Sequence, residues 1–219
     1  MSTTAPALAI LGTGHMGGAI LSGIRQNQAS VSRIRATTQS ERSAAALNAP
    51  GVEARSLEAD PAANRWAVEG ADVVILGVKP AAVRDLLADV HSAIPPSAVV
   101  VSVAAGVTID QMATLWPGAI VRTMPNTPSA VGAGVTGLAV GPGVSAGQRE
   151  NVLELFRSVG EVIVVDEGDI NALSSVSGSG PAFVYYFMEC FLAAARVHGF
   201  SEQDARLMVG GTFHGALEL

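Results

Sequence analysis

Three glycines, Gly12, Gly14 and Gly17, follow the apolar run Ala7-Leu-Ala-Ile-Leu11 and lead into a stretch with helical patterning from His15 onward. A strand, a tight turn and a helix start at that spacing form a cradle for phosphate. The first glycine permits the turn, the second lets a pyrophosphate approach the backbone, and the third lets the helix lie close to the strand. Free amides at the helix start then attract the anion. With 24 glycines among 219 residues, an ordinary βα turn could carry the same spacing by chance; its place behind an N-terminal strand favours the cradle.

Two further sets can serve the same anionic ligand. A second strand, Arg33 to Thr38, runs into Gln39-Ser40-Glu41-Arg42. Sheets that prefer NAD place Asp or Glu about 20 residues past the glycines, to accept from the ribose hydroxyls. Here the tip, Thr37-Thr38-Gln39-Ser40, puts hydroxyls first, and Thr38, Ser40 and Arg42 or Arg35 are donors for a 2′-phosphate or else solvated loop residues. NADPH is therefore favoured over NADH. Lys79, the only lysine of the chain, closes the apolar strand Asp72 to Val78. That is the strand end where doubly wound sheets bind ligands, although loop ends also hold solvated charges.

The elements that must position these groups follow from the patterning. Asp60-Pro61 is a helix start, with the helix running to about Glu69 and containing Asn64. Val83 to His91 is a helix stopped before Pro95-Pro96, and Ala98 to Val103 is a buried strand. Ala104-Ala105-Gly106 then supplies small residues where a flat ring can lie close to backbone, and Thr108 caps a short helix ending near Trp116. The strand Ala119 to Met124 ends in Pro125-Asn126-Thr127-Pro128, a stiff loop that is either a ligand wall or a connector. Gly134 to Val140 and Glu161 to Val165 are two more strands, around a helix opened by the capping box Ser145-Ala-Gly-Gln148. This alternation predicts a doubly wound α/β domain of about 165 residues.

From Asp169 the pattern changes. A short helix to Ser175 is followed by a break at Ser177-Gly-Ser-Gly-Pro181, and Ala182 to Val197 is then apolar nearly all round. Such a helix is expected to be buried in a core or a subunit contact. His198-Gly199 ends it, and Ser201 caps a last helix still running at Leu219. Gly210-Gly211 inside that helix costs about 2 kcal/mol against alanine, which predicts close packing against a neighbour. Its apolar faces call for a partner or for more chain.

Bulk properties bound the function. A composition of 49% hydrophobic and 15% charged residues describes a well-buried globular protein. The net charge of −6 gives no basic footprint for nucleic acid or a membrane surface. The single cysteine, Cys190, fits a reducing compartment, and Met1-Ser-Thr-Thr-Ala-Pro lacks the basic flank of a leader, so a cytoplasmic location is expected. The four histidines share no metal-ligand spacing, and no metal site is expected.

Taken together, Gly12-Thr-Gly-His-Met-Gly-Gly18, Asn64, Val78-Lys-Pro80, Ala104-Ala-Gly-Val-Thr108, Met124-Pro-Asn-Thr-Pro128 and Ser177-Gly-Ser-Gly-Pro-Ala-Phe183 resemble the pyrroline-5-carboxylate reductases. The resemblance runs the length of the chain. It implies a Rossmann-like NAD(P)-binding domain over residues 1–166 and an all-helical dimerisation domain, incomplete here, over residues 167–219. It further implies a homodimer interlocked through the helices, often built into a larger ring. The implied activity is reduction of 1-pyrroline-5-carboxylate to L-proline, the last step of proline biosynthesis, with NADPH or NADH.

The same resemblance distributes the site residues. Leu11, Gly12, Thr13, Gly14, His15 and Met16 line the pyrophosphate, backed by Gly17; Thr38 faces the 2′-phosphate, and its neighbour Thr37 also belongs to the cofactor site. Asn64 sits on the adenosine side. Gly77, Val78, Lys79 and Pro80 run beside the ribose and nicotinamide, with Val103, Ala104 and Ala105 completing that wall. Glu167, Ser177, Gly178, Ser179 and Gly180 are expected near the substrate, joined by Asn126 if its loop is a ligand wall. The family's Ser-Pro-Gly-Gly-Thr segment, which holds the substrate carboxylate, has no counterpart within these 219 residues, so the catalytic groups are expected outside them. Two other readings keep the cofactor fold: a nucleotide sensor without catalysis, and a 3-hydroxy-acid dehydrogenase. The latter depends on a lysine in the long interdomain helix, and Ala182 to Val197 contains none.

Overall fold

Strands that are apolar at every position need cover on both faces, and the chain provides it with helices on either side of one sheet. The computed structural model describes residues 5–27 and 30–219, so Met1 to Thr4 of the leader reading lie outside the described residues. Two compact units are present, the first ending at Gly178 and the second running from Ser179 to Leu219.

In the first unit the order is β1 (Ala7–Leu11), α1 (His15–Gln26), β2 (Arg33–Thr38), α2 (Glu41–Leu47), β3 (Val52–Ser56), α3 (Ala63–Val68), β4 (Val73–Leu76), α4 (Val83–Val90) and β5 (Val99–Ser102). Then come α5 (Ile109–Ala113), β6 (Ala119–Met124), β7 (Gly134–Val140), α6 (Ala146–Arg157), β8 (Gly160–Val164) and α7 (Ile170–Leu173). The eight strands form a single sheet ordered β3-β2-β1-β4-β5-β6-β7-β8. All neighbours are parallel except β6 and β7. The winding therefore reverses direction beside β1, and the ligand crevice of such sheets lies at that reversal.

Successive residues of each strand feed opposite cores. Ala9, Leu11, Val74, Leu76 and Val100 pack with α4 and α5 on one face, while Leu8, Ile10, Val73, Ile75 and Val101 pack with α1 and α6 on the other. This division explains why β1, β4 and β5 show no alternation in sequence. The bounds of β2, β6 and β7 agree to the residue with the patterning.

Several expectations are corrected. The helix after Asp60-Pro61 begins only at Ala63, and Asp60 instead accepts from the Ala62 amide at 3.0 Å in the preceding turn. The segment from Thr38 to Asp60 holds α2 and β3, which the patterning did not reveal. Only Ala44 of α2 is buried, and β3 is a sheet-edge strand with just its two ends buried, so neither has a strong apolar period. No break separates the short helix at Ile170 from Ser177, because Ser174–Gly178 continues it as a π turn.

The second unit consists of α8 (Gly180–Val197) and α9 (Glu202–Leu217). Phe187, Phe191 and Phe213 form an edge-to-face trio with ring centres 5.0 to 5.7 Å apart, which joins the two helices. The expected burial of α8 is not met within one chain: only Ala195 is buried, and Phe183 and Tyr186 are 66% and 70% exposed. Among the described residues, Gly210 and Gly211 likewise have no atom within 4 Å of where a side chain would start, so the close packing predicted for them is not found there. Among the described residues no helix is long and apolar enough to cross a membrane.

Candidate functional site

A cleft of about 400 Å³ opens at the carboxyl ends of β1, β2 and β4. Gly12, Thr13 and Gly14 form one wall, Thr37, Thr38 and Asn64 a second, and Gly77, Val78 and Lys79 a third. Gly12 takes a left-handed conformation, φ +84°, and a Cβ there would stand 2.7 Å from Val78 Cγ1. A Cβ on Gly17 would stand 2.5 Å from the Gly12 carbonyl oxygen, which is the close approach of α1 to β1. Gly14 differs from both, because nothing lies within 4 Å of its missing side chain.

Helix α1 starts without a side-chain cap, and its first internal bond runs from Gly18 N–H to the Gly14 carbonyl, 2.8 Å. The amides of His15 and Met16 therefore have no partner within the helix and carry the positive end of its dipole. The Gly12 amide, in contrast, is not a free donor. It donates to Thr37 Oγ1 at 3.1 Å, and that hydroxyl donates onward to Asn64 Oδ1 at 2.8 Å. Thr13 adds two bonds to the Thr37 carbonyl, from its amide and its hydroxyl, both 2.9 Å. Thr37 is thus the node that fixes the glycine turn to β2 and holds Asn64 by its oxygen, while the Asn64 amide group stays at the cleft it lines. Leu11 is fully buried, and its carbonyl accepts the Gly77 N–H at 2.8 Å, so its contribution is to the wall behind the turn.

At the tip of β2, Thr38 donates its hydroxyl to the Ser40 carbonyl, 2.9 Å, and Ser40 caps α2 through the Ser43 amide, 3.3 Å. Ser43, Gln39 and Leu57 also line the cleft, and the sequence reading named none of them as site residues. A capping signal at Ser40 would have pointed to Ser43, whereas Leu57 follows the unread β3. Arg42 is exposed at the second position of α2. Arg35 does not reach the tip. Its guanidinium donates to the Trp66 carbonyl at 2.7 Å and lies 4.8 Å from the Trp66 ring centre, two positions before Thr37 on β2. Lys79 is exposed and is the one charged side chain lining the cleft among the described residues. Pro80 follows it and opens a 3-10 turn.

The segment Val103 to Thr108 leaves β5 beside these groups. Ser102 Oγ accepts the Ala104 amide at 3.2 Å, Ala104 is buried, and Ala105 is exposed. Asn126, expected as a possible ligand wall, spends both ends of its amide on backbone. Its Nδ2 donates to the Ser177 carbonyl at 2.9 Å, and its Oδ1 accepts the Val135 amide at 2.8 Å. It is therefore a bracket between β7 and the π turn that contains Ser177 and Gly178. Glu167 is also engaged, accepting from the Ile109 amide at 2.7 Å and from buried Arg122 at 3.3 Å. Ser179 and Gly180 belong to the second unit, where the Ser179 carbonyl accepts the Ala182 amide at 3.0 Å at the start of α8. Among the described residues, no group of three or more His, Cys, Asp or Glu is placed to hold a metal ion.

Comparison with known proteins bears on the family and the fold. Residues 7–106 match the family model described as NADP oxidoreductase coenzyme F420-dependent, and residues 167–219 match pyrroline-5-carboxylate reductase dimerisation. The chain is 34% identical to a pyrroline-5-carboxylate reductase of Pseudomonas aeruginosa, over 100% of this chain and 79% of that protein. It is 35% identical to the Escherichia coli protein of the same name, over 90% of this chain and 73% of that one. A solved pyrroline-5-carboxylate reductase from Coxiella burnetii superposes with a TM-score of 0.85 at 32% identity, covering 99% of this chain and 79% of that one. A pyrroline carboxylate reductase of Plasmodium falciparum, solved with NADP bound, has the same fold, with a TM-score of 0.84 at 24% identity over 99% of this chain and 79% of that one.

Proposed function

The chain belongs to the pyrroline-5-carboxylate reductase family, and from that premise we propose that it reduces 1-pyrroline-5-carboxylate to L-proline with a reduced nicotinamide dinucleotide. The observation that carries the cofactor half of this reading is the cleft built on Thr37. It combines unpartnered amides at the start of α1, open space over Gly14, and no carboxylate among the residues that line it.

In this reading the amides of His15 and Met16 bind the diphosphate, and Gly14 leaves room for it. Asn64, held by its oxygen, presents its amide group to the adenosine ribose. Lys79 supplies the one positive charge of the cleft, beside the Gly77–Pro80 wall, and draws either a phosphate or the substrate carboxylate inward. The exposed face of Ala105, with Val103 and Ala104, walls the nicotinamide. When bound, the dinucleotide supplies a hydride from its reduced ring to the imine carbon. A protonated cyclic imine is already a strong electrophile, so the protein's tasks are to hold the two rings together and keep water out. Ser177 to Gly180 are the substrate-side candidates carried over from the family motif.

NADPH is favoured over NADH because the start of α2, beyond the tip of β2, presents Ser43 and the exposed Arg42, although the Thr38 hydroxyl expected to face the 2′-phosphate is spent on the Ser40 carbonyl. The chain works as a homodimer through its helical unit, whose residues match the dimerisation model. The test is to supply the purified protein, carrying its natural C-terminus, with NADPH and 1-pyrroline-5-carboxylate. One L-proline formed for each NADPH consumed supports the reading, and NADPH that binds without being consumed overturns the catalytic half of it.

A further inference from the structure

Glu167 and Arg122 form a connection that the reaction described above does not use. Arg122 stands in the middle of β6 and is 3% exposed, a full charge inside the sheet. Its guanidinium has two partners, Glu167 Oε1 at 3.3 Å and Asn171 Oδ1 at 3.2 Å. The same Oε1 of Glu167 accepts the amide of Ile109, the first residue of α5, at 2.7 Å. One carboxylate oxygen therefore joins a buried strand to the far end of the Val103–Thr108 segment.

The near end of that segment is held from the same strand. Thr123, next to Arg122, donates its hydroxyl to the Ser102 carbonyl at 3.0 Å, and Ser102 Oγ accepts the Ala104 amide. Strand β6 thus grips the segment at both ends, directly through Thr123 and indirectly through Arg122 and Glu167. Between the grips, Ala105 and Gly106 are exposed. The bond to Ile109 also answers one of the unpaired amides at the start of α5, whose capping box, Thr108 with Gln111, satisfies others.

We infer that Glu167 is a positioning residue and not a substrate ligand: with Arg122 it clasps the Val103–Thr108 segment in the place where it walls the nicotinamide. The inference rests on the reading of that segment as the nicotinamide wall, and it adds which side chains set the wall's position. It predicts that reach, more than charge, is what position 167 must supply. Aspartate keeps the charge but is one methylene too short to meet Ile109 and Arg122 together. Glutamine keeps the length and an oxygen acceptor.

The test compares the affinities of NADPH and of 2′,5′-ADP, which carries only the adenosine end of the cofactor, in the full chain. Glu167→Asp is expected to weaken NADPH by about tenfold, the ordering lost with one hydrogen bond, and to leave 2′,5′-ADP unchanged. Ile109→Pro removes the donor while sparing the ion pair. Proline suits a first helical position, and Thr108 before it is already extended, φ −86° and ψ 159°. It should give the same selective loss. Glu167→Gln should stay within about threefold for NADPH. If Glu167→Asp and Ile109→Pro bind both ligands as the parent does, or lose both equally, the clasp is wrong. If Glu167→Gln raises the KM for 1-pyrroline-5-carboxylate while NADPH affinity holds, Glu167 is a substrate ligand after all. Ala105→Leu separates the two claims: a selective loss of NADPH there with none at position 167 sinks only the clasp, and no loss there sinks the wall on which it rests.

Discussion

Gly12 and Gly14 are the same amino acid two positions apart, and the structure asks different things of them. Gly12 needs a positive φ and has Val78 against its α-carbon, so Gly12→Ala is expected to cost about 2 kcal/mol of stability in urea unfolding. Gly14 has a φ of −72° and open space, so Gly14→Ala should change stability by less than about 0.5 kcal/mol. It should nevertheless weaken NADPH by at least about tenfold in a fluorescence titration, because its methyl group stands where the diphosphate approaches. Equal stability losses for the two variants would contradict this division. The glycine spacing was legible in the sequence, but the partners of the polar residues were not. Asn126 beside two prolines and Glu167 before a helix both look like ligands until the structure shows what they bond to. Those partners lie 51 and 58 residues away, and no local pattern encodes them. Thr38 was read as a phosphate donor, although its hydroxyl is given to the Ser40 carbonyl.

At the scale of elements, legibility followed burial. The strands covered on both faces, such as β6, are apolar enough to stand out from their surroundings. Edge strand β3 and surface helix α2 are not, and with them the Leu57 side of the cleft was missed. Three caps were read correctly because their chemistry is local, Thr108, Ser145 and Ser201 each accepting the amide three positions on, whereas Asp60 caps no helix and the Ser40 cap was missed. The turn into α9 adds an electrostatic feature. Glu202 meets Arg196 and Arg206, both at 2.8 Å, and these bonds hold its carboxyl below the usual carboxylate range. A depressed carboxyl stabilises the fold above its unfolded pKa, and that contribution is lost as pH falls through the folded value. Glu202→Gln should therefore melt below the parent at neutral pH and match it in acid. Because Glu202 is fully exposed the shift will be small, and a difference that persists unchanged in acid would contradict the assignment to ionisation.

At the scale of the whole molecule, the sequence of α8 speaks of more than one chain. A helix apolar on every side is expected to be covered on every side, yet within the single chain its aromatic residues stand open. The residues concerned match a dimerisation model, which supports the homodimer proposed above. Phe183→Glu places a charge on that surface and is expected to shift the protein from dimer to monomer in native mass spectrometry. NADPH affinity should be unaltered, since the cofactor cleft lies within the first unit. A variant that remains dimeric would place the contact elsewhere.

The functional reading depends on a nicotinamide dinucleotide lying in the Thr37 cleft, with its diphosphate over Gly14. Isothermal titration calorimetry of the folded chain measures this directly. The account predicts saturable heat at one NADPH per chain, weaker binding of NADH, and little heat with the Gly14→Ala variant. No heat with either nucleotide from folded protein, or undiminished heat from Gly14→Ala, would contradict it.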